Sequence, residues 1–247
     1  MTPARKRLLL FGALAALAAI LALAAIVLLL RRDAQARDLV CLRTDIGVAG
    51  VESGGCYPPE AFAGFAENAV TDAGGAATVR LSHPTDIQAS EMVRTCAAWR
   101  ARRDAGWYAL AAADMRRELV FERACGTLAM LERARAPERT HFRDGALARG
   151  DVEAVAGAAP LRIGPAADDA VSGPVAVEAE APGVWRWSVG GQRARLQEIA
   201  HADFNGDGFG DVLVFLAAVA EGGTASVGVV GLVEKTAEDA PARFAIP

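Results

Sequence analysis

The hydrophobic pattern of this chain changes twice along its 247 residues. An uncharged apolar run covers residues 8–30, and helical spacing of apolar positions prevails from about residue 38 to residue 135. From about residue 150, short β-branched runs alternate with glycine pairs. The pattern predicts an α+β fold in three parts: a cytoplasmic tail and transmembrane signal-anchor (1–37), a mainly helical region with disulfides (38–149) and an antiparallel β-meander (150–247).

The first helix of the middle region is expected after a proline pair. Pro58 and Pro59 precede an amphipathic stretch over residues 60–70, in which Phe62 and Phe65 have i, i+3 spacing. Proline suits the first helical position because the amide it lacks has no partner there. We therefore expect a short helix that buries its two phenylalanines.

Two further helices are expected before residue 137. Thr85 and Gln88 have the spacing of a capping box, which predicts a helix that runs to about Arg103. A longer amphipathic helix is predicted over residues 111–135, since Pro137 limits its end. Its buried stripe is expected to contain Met115, Leu119, Leu128 and Leu131.

The C-terminal region reads as consecutive strands. Gly190-Gly191 and Gly222-Gly223 separate apolar runs and are typical of hairpin turns. The predicted strands cover residues 175–180, 185–189, 194–202, 212–219 and 226–234.

The apolar run over residues 8–30 is long enough to cross a bilayer as a helix. Two interpretations stay open. The small-x-small pattern that ends at Ala36 is typical of signal-peptidase cleavage, which would leave a secreted protein. An uncleaved anchor is favoured, because export signals have shorter apolar cores and Arg31 and Arg32 follow this one directly. We expect the inner membrane to be the partner of residues 8–30.

The cysteines indicate the side of the membrane. All four follow the apolar run: Cys41, Cys56, Cys96 and Cys125. An even set of cysteines outside the membrane fits an oxidising compartment, so the C-terminal part is expected in a bacterial periplasm. Proximity favours the pairs Cys41–Cys56 and Cys96–Cys125. Two straight helices joined near Gly106 would hold the second pair too far apart, so either residues 107–110 are not helical or the pairing is crossed.

The charge of the exported part excludes some partners. Residues 1–37 contain six of the 26 basic residues and only one of the 30 acidic residues, which leaves the remainder clearly acidic. Nucleic acid and anionic lipid both need clustered Lys and Arg. We therefore expect no nucleic-acid partner.

A loop near the C-terminus contains the most specific chemistry. Asp203-Phe204-Asn205-Gly206-Asp207-Gly208-Phe209-Gly210-Asp211 alternates oxygen-bearing side chains with small or apolar residues. It has the D-x-[DN]-x-[DN]-G pattern of calcium loops, in which the glycine permits the sharp turn around the ion. An EF-hand would place Glu at position twelve, where this chain has Val214 at the centre of an apolar run typical of a buried strand.

The Asp-x-Asn-x-Asp-Gly-x-x-Asp pattern between two strands resembles the calcium loops of FG-GAP repeats in integrin-type β-propellers. The resemblance covers about a dozen residues in a single copy, so it does not extend to the propeller fold. It implies a Ca²⁺ ion held by the side chains of Asp203, Asn205, Asp207 and Asp211 and by the Phe209 carbonyl. Because the ion would join the ends of two strands, a structural role is expected for it.

A weaker resemblance concerns the middle region. The segments Arg94-Thr95-Cys96-Ala97-Ala98-Trp99, Gly106-Trp107-Tyr108-Ala109, Asp114-Met115-Arg116 and Cys125-Gly126 are similar to uncharacterised bacterial membrane-anchored envelope proteins. Those proteins also end in an Asp-Phe-Asn-Gly-Asp-Gly loop. This resemblance implies a location and no activity.

No catalytic motif is recognisable. The three histidines, His83, His141 and His201, lack metal-ligand spacing, and no serine lies in a nucleophile motif. His201 alone has a functional interpretation, beside a bound ion, although a satisfied strand histidine is the simpler one. No catalytic residue is therefore predicted, and whether the protein is an enzyme stays open.

Three functions remain. The favoured one is a non-enzymatic, membrane-anchored periplasmic protein that binds a partner in the cell envelope, for example as an inhibitor or immunity protein. The second is an envelope hydrolase with a site built from dispersed residues. The third is an assembly factor whose anchor contacts other membrane helices through its alanine-rich face at residues 13–25.

Overall fold

A seven-stranded sheet forms the centre of the molecule. The computed structural model describes residues 39–86, 88–158, 161, 175–222 and 225–247, and Val40–Pro247 form one compact unit. The strands of the described residues are, in chain order, β1 (Val40–Cys41), β2 (Cys56–Tyr57), β3 (Thr71–Asp72), β4 (Gly75–Ala76), β5 (Val79–Ser82), β6 (Ser90–Val93), β7 (Arg139–Thr140), β8 (Val177–Ala181), β9 (Val184–Val189), β10 (Gln192–Ala202), β11 (Phe209–Ala220), β12 (Ser226–Glu234) and β13 (Arg243–Ala245). The last seven form the large sheet, and the first six pair two by two.

The helices are short and lie mostly before the sheet in the chain. They are α1 (Pro59–Gly64), α2 (Cys96–Asp104), α3 (Ala112–Phe121), α4 (Thr127–Leu131) and α5 (Arg149–Ala158). A π-helical turn, Glu122–Gly126, joins α3 to α4, and 3₁₀ turns cover Phe65–Glu67 and Arg143–Gly145. The α+β class is thus confirmed.

The main sheet has the order β13-β12-β11-β10-β9-β8, with every neighbouring pair antiparallel. The predicted meander is confirmed, and the predicted strand over residues 226–234 has the same bounds as β12. Gly190 and Gly191 both have positive φ angles, as the hairpin between β9 and β10 requires. The sheet gains two strands that sequence did not predict, β13 at one edge and β7, which pairs in parallel with the start of β11.

Strand β11 is continuously apolar from Val212 to Leu216 because both of its faces are covered there. Leu213 and Phe215 belong to a core shared with the helices, while Val212, Val214 and Leu216 belong to a core on the opposite face. Successive side chains of a strand point to opposite faces of the sheet, and here each face contacts its own hydrophobic core. The first core includes residues from both sides of position 149, so the helical region and the sheet pack as one unit.

Both predicted disulfides are confirmed. Cys41 pairs with Cys56 and Cys96 pairs with Cys125. The second pair is compatible with the helices because residues 105–111 are not helical, so α2 and α3 do not have the register of two straight, directly joined helices.

The predicted helix start at Thr85 is wrong. Ser90–Val93 is a strand that pairs with Val79–Ser82, and the helix begins at Cys96. The Thr95 hydroxyl caps this helix by accepting a hydrogen bond from the Ala98 amide at 3.2 Å. Asp86 instead accepts from the Gln88 amide in a local turn.

The long helix is shorter than expected and buries a narrower stripe. Leu128 and Leu131 are fully buried and Leu119 is half-buried. Met115 is 51% exposed, which corrects its place in the predicted stripe. The helix predicted over residues 60–70 ends at Gly64: Phe62 in α1 is fully buried, and Phe65 in the following 3₁₀ turn is half-buried against the same core.

The predicted transmembrane segment, residues 8–30, lies outside the described residues, as does the Ala36 cleavage pattern. Within the described ranges, every helix is too short or too polar to span a membrane.

Candidate functional site

The loop predicted to bind calcium connects the two longest strands. It leaves β10 after Ala202 and enters β11 at Phe209. Its backbone is tied to a segment from the helical region: the amides of Arg135 and Asp203 each donate to the other residue's carbonyl, at 2.8 and 3.0 Å. The Gly208 carbonyl accepts from the Glu138 amide at 2.9 Å. The 203–211 loop therefore joins the sheet to residues 135–140.

The first ligand position, Asp203, organises the turn. Its carboxylate accepts from the Gly206 amide at 2.7 Å and from the Gly208 amide at 3.1 Å. Both glycines have positive φ angles, +82° and +85°, which L side chains rarely adopt. Asp203 itself is 4% exposed.

The next two predicted ligands also turn toward the backbone of the loop. Asn205 Oδ1 accepts from the Asp207 amide at 2.9 Å, and Asp207 Oδ1 accepts from the Phe209 amide at 2.8 Å. A carboxylate or amide oxygen that accepts one N–H keeps a second lone pair. These side chains are thus arranged around the loop without using all their acceptor capacity.

Asp211 closes the loop and is its most buried acid. It is 2% exposed, and its Oδ2 accepts from the Phe204 amide at 3.2 Å. Burial raises the pKa of this carboxyl to about 7, against the Phe204 hydrogen bond, which lowers it. The negative charges of Glu234, Asp207 and Asp203 raise the pKa further.

Glu234 is a member of this cluster that the sequence analysis did not identify. The Asn205 amide nitrogen donates to Asp207 Oδ2 and to Glu234 Oε1, both at 3.1 Å. Val212 pairs with Val233, so the antiparallel register brings Glu234, the last residue of β12, beside Asp211. Extending the predicted pairing of the two strands by one residue would have revealed it.

The four carboxylates form a surplus of negative charge. None of them makes an ion pair within 4 Å with any residue that the structure describes. Over the same residues, no group of three or more His, Cys, Asp or Glu side chains is arranged as a metal shell. The donor chemistry suits a hard cation, while the oxygens now face backbone amides and the Asn205 amide lies between two carboxylates.

Phe209, whose carbonyl is the remaining predicted ligand, begins β11. Its ring stacks on the His141 imidazole with 5.0 Å between the ring centroids. The backbone of Phe209 pairs with Arg139 in β7. The residue is therefore held between the helical segment and the sheet, and its carbonyl stays a predicted ligand.

His201 lies in a tight pocket of backbone. Its Nε2 is 2.9 Å from the Thr140 hydroxyl oxygen. Burial lowers the pKa of the imidazole, and the charge of Arg43 lowers it further. A Cβ atom at Gly210 would lie 2.3 Å from Nε2, and one at Gly145 would lie 2.7 Å from Cγ. His201 therefore has the surroundings of a packed, hydrogen-bonded strand histidine.

A cleft of about 710 Å³ opens beside the loop. Asn205 and Gly206 form one wall, and Arg133 and Arg135 form another. Ile246, near the C-terminus, also lines it and is 61% exposed. The cleft thus combines guanidinium groups with apolar surface next to the acidic cluster.

Comparison of this chain with models of protein families, with curated proteins and with solved structures found no match.

Proposed function

We propose that this chain is a membrane-anchored protein of the cell envelope whose exported domain is stabilised by calcium and binds a protein partner. Residues 8–30 form the anchor in this proposal. The predicted ligands of the ion are Asp203, Asn205, Asp207 and Asp211, together with the Phe209 carbonyl, and Glu234 adds a fifth acidic or amide side chain nearby.

The observation that carries the proposal is the uncompensated charge of the acidic cluster. Asp211 is almost completely buried without an ion pair among the described residues, and three other acids raise its pKa. Buried charge of one sign is unfavourable unless it is neutralised. A divalent cation would neutralise it, whereas protonation does so only below about pH 7.

The position of the loop supports a structural role. The 203–211 loop is bonded to residues 135–140, so an ion there would fix the joint between the helical region and the sheet. Millimolar calcium is available outside the cytoplasm, where loops with few ligands become occupied. When bound, calcium would supply charge neutralisation and would hold the loop closed.

The cleft beside the loop supports partner binding. Exposed apolar side chains next to Arg are typical of interface residues, and Ile246 with Arg133 and Arg135 provides that combination. Since Asn205 belongs to both the cleft and the predicted ion site, occupancy of the ion site would shape the cleft. An inhibitor of an envelope enzyme is one form that this function could take.

Thermal melting of the full-length protein tests the ion. In millimolar CaCl₂ the melting temperature should rise by several degrees over EDTA, since ligand at 100 times its Kd adds about 2.7 kcal/mol. Asp207→Ala should abolish the rise, and Asp239→Ala, an exposed aspartate outside the loop, should preserve it. An equal rise in both variants would exclude this site.

Affinity capture from envelope extracts tests the partner. The full-length protein should retain a protein in calcium and lose it in EDTA, and the purified partner should rebind the Asp239→Ala bait but not the Asp207→Ala bait. Recovery of no partner, together with hydrolysis of envelope polymers by the purified chain, would replace this function with the hydrolase alternative.

A further inference from the structure

A second cleft, of about 420 Å³, lies between α3 with the π-helical turn that follows it, β11, the loop that carries Asp45 and the end of β3 at Asp72. We name it the Arg123 cleft after the guanidinium in its wall. It contains none of the calcium-loop residues. Its volume falls within the range of small-molecule sites, about 300–1,000 Å³.

Arg123 is half-buried and has no acidic partner. Its Nη2 donates to the Asp45 carbonyl, and its Nε is buried without a hydrogen bond. No carboxylate among the described residues lies within 4 Å of it. The half-buried Arg100 is paired with Glu132 at 3.1 Å, and the more exposed Arg43 is paired with Glu198 at 2.8 Å.

Burial lowers the pKa of the Arg123 guanidinium below its ordinary value, the charge of Asp45 raises it, that of Arg195 lowers it and that of Asp72 raises it, although neither carboxylate lies within 4 Å. Arginine nevertheless keeps its charge in proteins. A half-buried guanidinium without a carboxylate is poorly compensated, because burial removes water from it. Nη1, which makes no hydrogen bond to a described residue, is available to an incoming acceptor.

Two acids occupy the exposed rim of the cleft. Asp45 Oδ1 accepts from the Gly47 amide at 2.7 Å, and Asp72 Oδ1 accepts from the Ala73 amide at 2.8 Å. In each carboxylate the other oxygen has no partner among the described residues. The cleft therefore offers one cation and two anions, which disfavours ligands that are purely anionic or purely cationic.

Most of the rest of the wall is apolar. Leu119 on α3 precedes Arg123, in the π-helical turn, by four residues, and Phe215 reaches the cleft from β11. Ile46, only 1% exposed, belongs to the wall beside Asp45. A ligand complementary to this cleft therefore carries an apolar group next to its charged groups.

We propose that the Arg123 cleft binds a free apolar α-amino acid. The ligand's carboxylate accepts hydrogen bonds from Arg123, its ammonium group faces Asp45 and Asp72, and its side chain packs on Leu119 and Phe215. In such a molecule the ammonium and carboxylate groups are attached to the same carbon, which matches the close positive and negative groups of the cleft. The proposal is independent of the calcium loop.

Calorimetric titration of the full-length protein with L-leucine tests the proposal. Leucine should bind, while acetyl-leucine, leucinamide and glycine should bind at least about tenfold more weakly, because each lacks one of the three groups. Binding should be the same in calcium and in EDTA, which separates this result from the ion site. Absence of leucine binding at millimolar concentration, or equal binding of acetyl-leucine, would overturn the proposal.

Variants test the assigned residues. Arg123→Gln should weaken leucine binding at least about tenfold, and Arg116→Gln, an exposed position on the same helix, should leave it unchanged. Asp72→Asn, at an exposed position that tolerates change, should weaken binding of leucine but not the residual binding of acetyl-leucine. If Arg123→Gln does not fold, the Asp72→Asn result decides. Unchanged leucine affinity in Asp72→Asn and in any folded Arg123→Gln protein would disprove the site.

Discussion

The Asp211 carboxylate accepts a hydrogen bond from the Phe204 amide at 3.2 Å, and so connects the last position of the 203–211 loop with its second. The contact stabilises the ionised acid, yet burial outweighs it and the pKa of Asp211 is about 7. Burial thus favours the protonated form of this carboxyl in the folded protein below about pH 7.

This raised pKa predicts how stability depends on pH in EDTA. The folded protein holds the Asp211 proton up to about pH 7, whereas the unfolded chain releases it near 3.8, so stability is lost as pH rises between these values. Asp211→Asn removes this loss. We expect the variant to gain unfolding free energy over the wild type at pH 8 and much less at pH 4, as measured by urea denaturation. A constant difference at both pH values would contradict the assignment, and Asp239→Asn is the matched control.

Glu198 should contribute strongly to stability because it is buried and fully bonded. It is 2% exposed, receives Arg43 Nη1 at 2.8 Å and receives Trp185 Nε1 at 3.2 Å. Arg43 is 32% exposed, so the main loss on removing Glu198 is the acceptor of the half-buried Trp185 Nε1 and the packed side chain itself, about 1–3 kcal/mol. The exposed pair Arg186–Glu178 is the control, since such pairs contribute about 1 kcal/mol at most. In urea denaturation, Glu198→Ala should lose far more unfolding free energy than Glu178→Ala. Similar losses in the two variants would contradict the prediction.

The two disulfides should differ in how much each contributes to the free energy of unfolding. Cys41 and Cys56 are exposed and close a loop of 15 residues, whereas Cys96 and Cys125 are fully buried and close one of 29. Loop entropy alone gives about 3 and about 3.5 kcal/mol. Replacing the buried pair with alanine also removes core contacts, so it should cost at least about 1 kcal/mol more. Thermal melting of the two double variants checks this prediction. A larger loss of stability on replacing Cys41 and Cys56 than on replacing Cys96 and Cys125 would contradict it.

Gly210 should not tolerate a side chain. A Cβ atom there would lie 2.3 Å from His201 Nε2 and 3.2 Å from the Thr140 Cβ. Gly210→Ala should therefore cost about 1–3 kcal/mol in urea denaturation. Gly150→Ala, where no atom lies within 4 Å, is the control and should cost nothing. A smaller cost of Gly210→Ala in a His201→Ala background would assign the clash to the imidazole, and an unchanged cost would exclude it.

The C-terminal sheet was predictable because its signals are local. β11 has five consecutive β-branched or large apolar residues from Val212 to Leu216, and a glycine pair follows it at residues 222–223. From β8 to β13, each strand then pairs with the next one along the chain, which keeps pairing close in sequence. The spacing of Asp203, Asn205, Asp207 and Asp211 is likewise visible without a structure.

The error at Thr85 has a physical reason. A capping box describes only how a helix start could satisfy its amides, and it says nothing about competing partners. Here Ser90–Val93 pairs with Val79–Ser82, which gives these amides partners in a hairpin. The cap is instead formed by Thr95, which makes an antiparallel bridge with Ala69 and whose hydroxyl accepts from the Ala98 amide at the helix start.

Local pattern was sufficient for the strands from β8 to β12 and for the oxygen-bearing loop, and it favoured the two disulfide pairs by proximity, since each depends on residues near one another in the chain. Contacts between distant segments decided the rest. Arg135 and Glu138 reach the loop from the helical region, and Glu234 reaches it from β12. The missing acidic partner of Arg123 likewise became visible only in the folded chain, because a charge is compensated by whatever the fold brings near it.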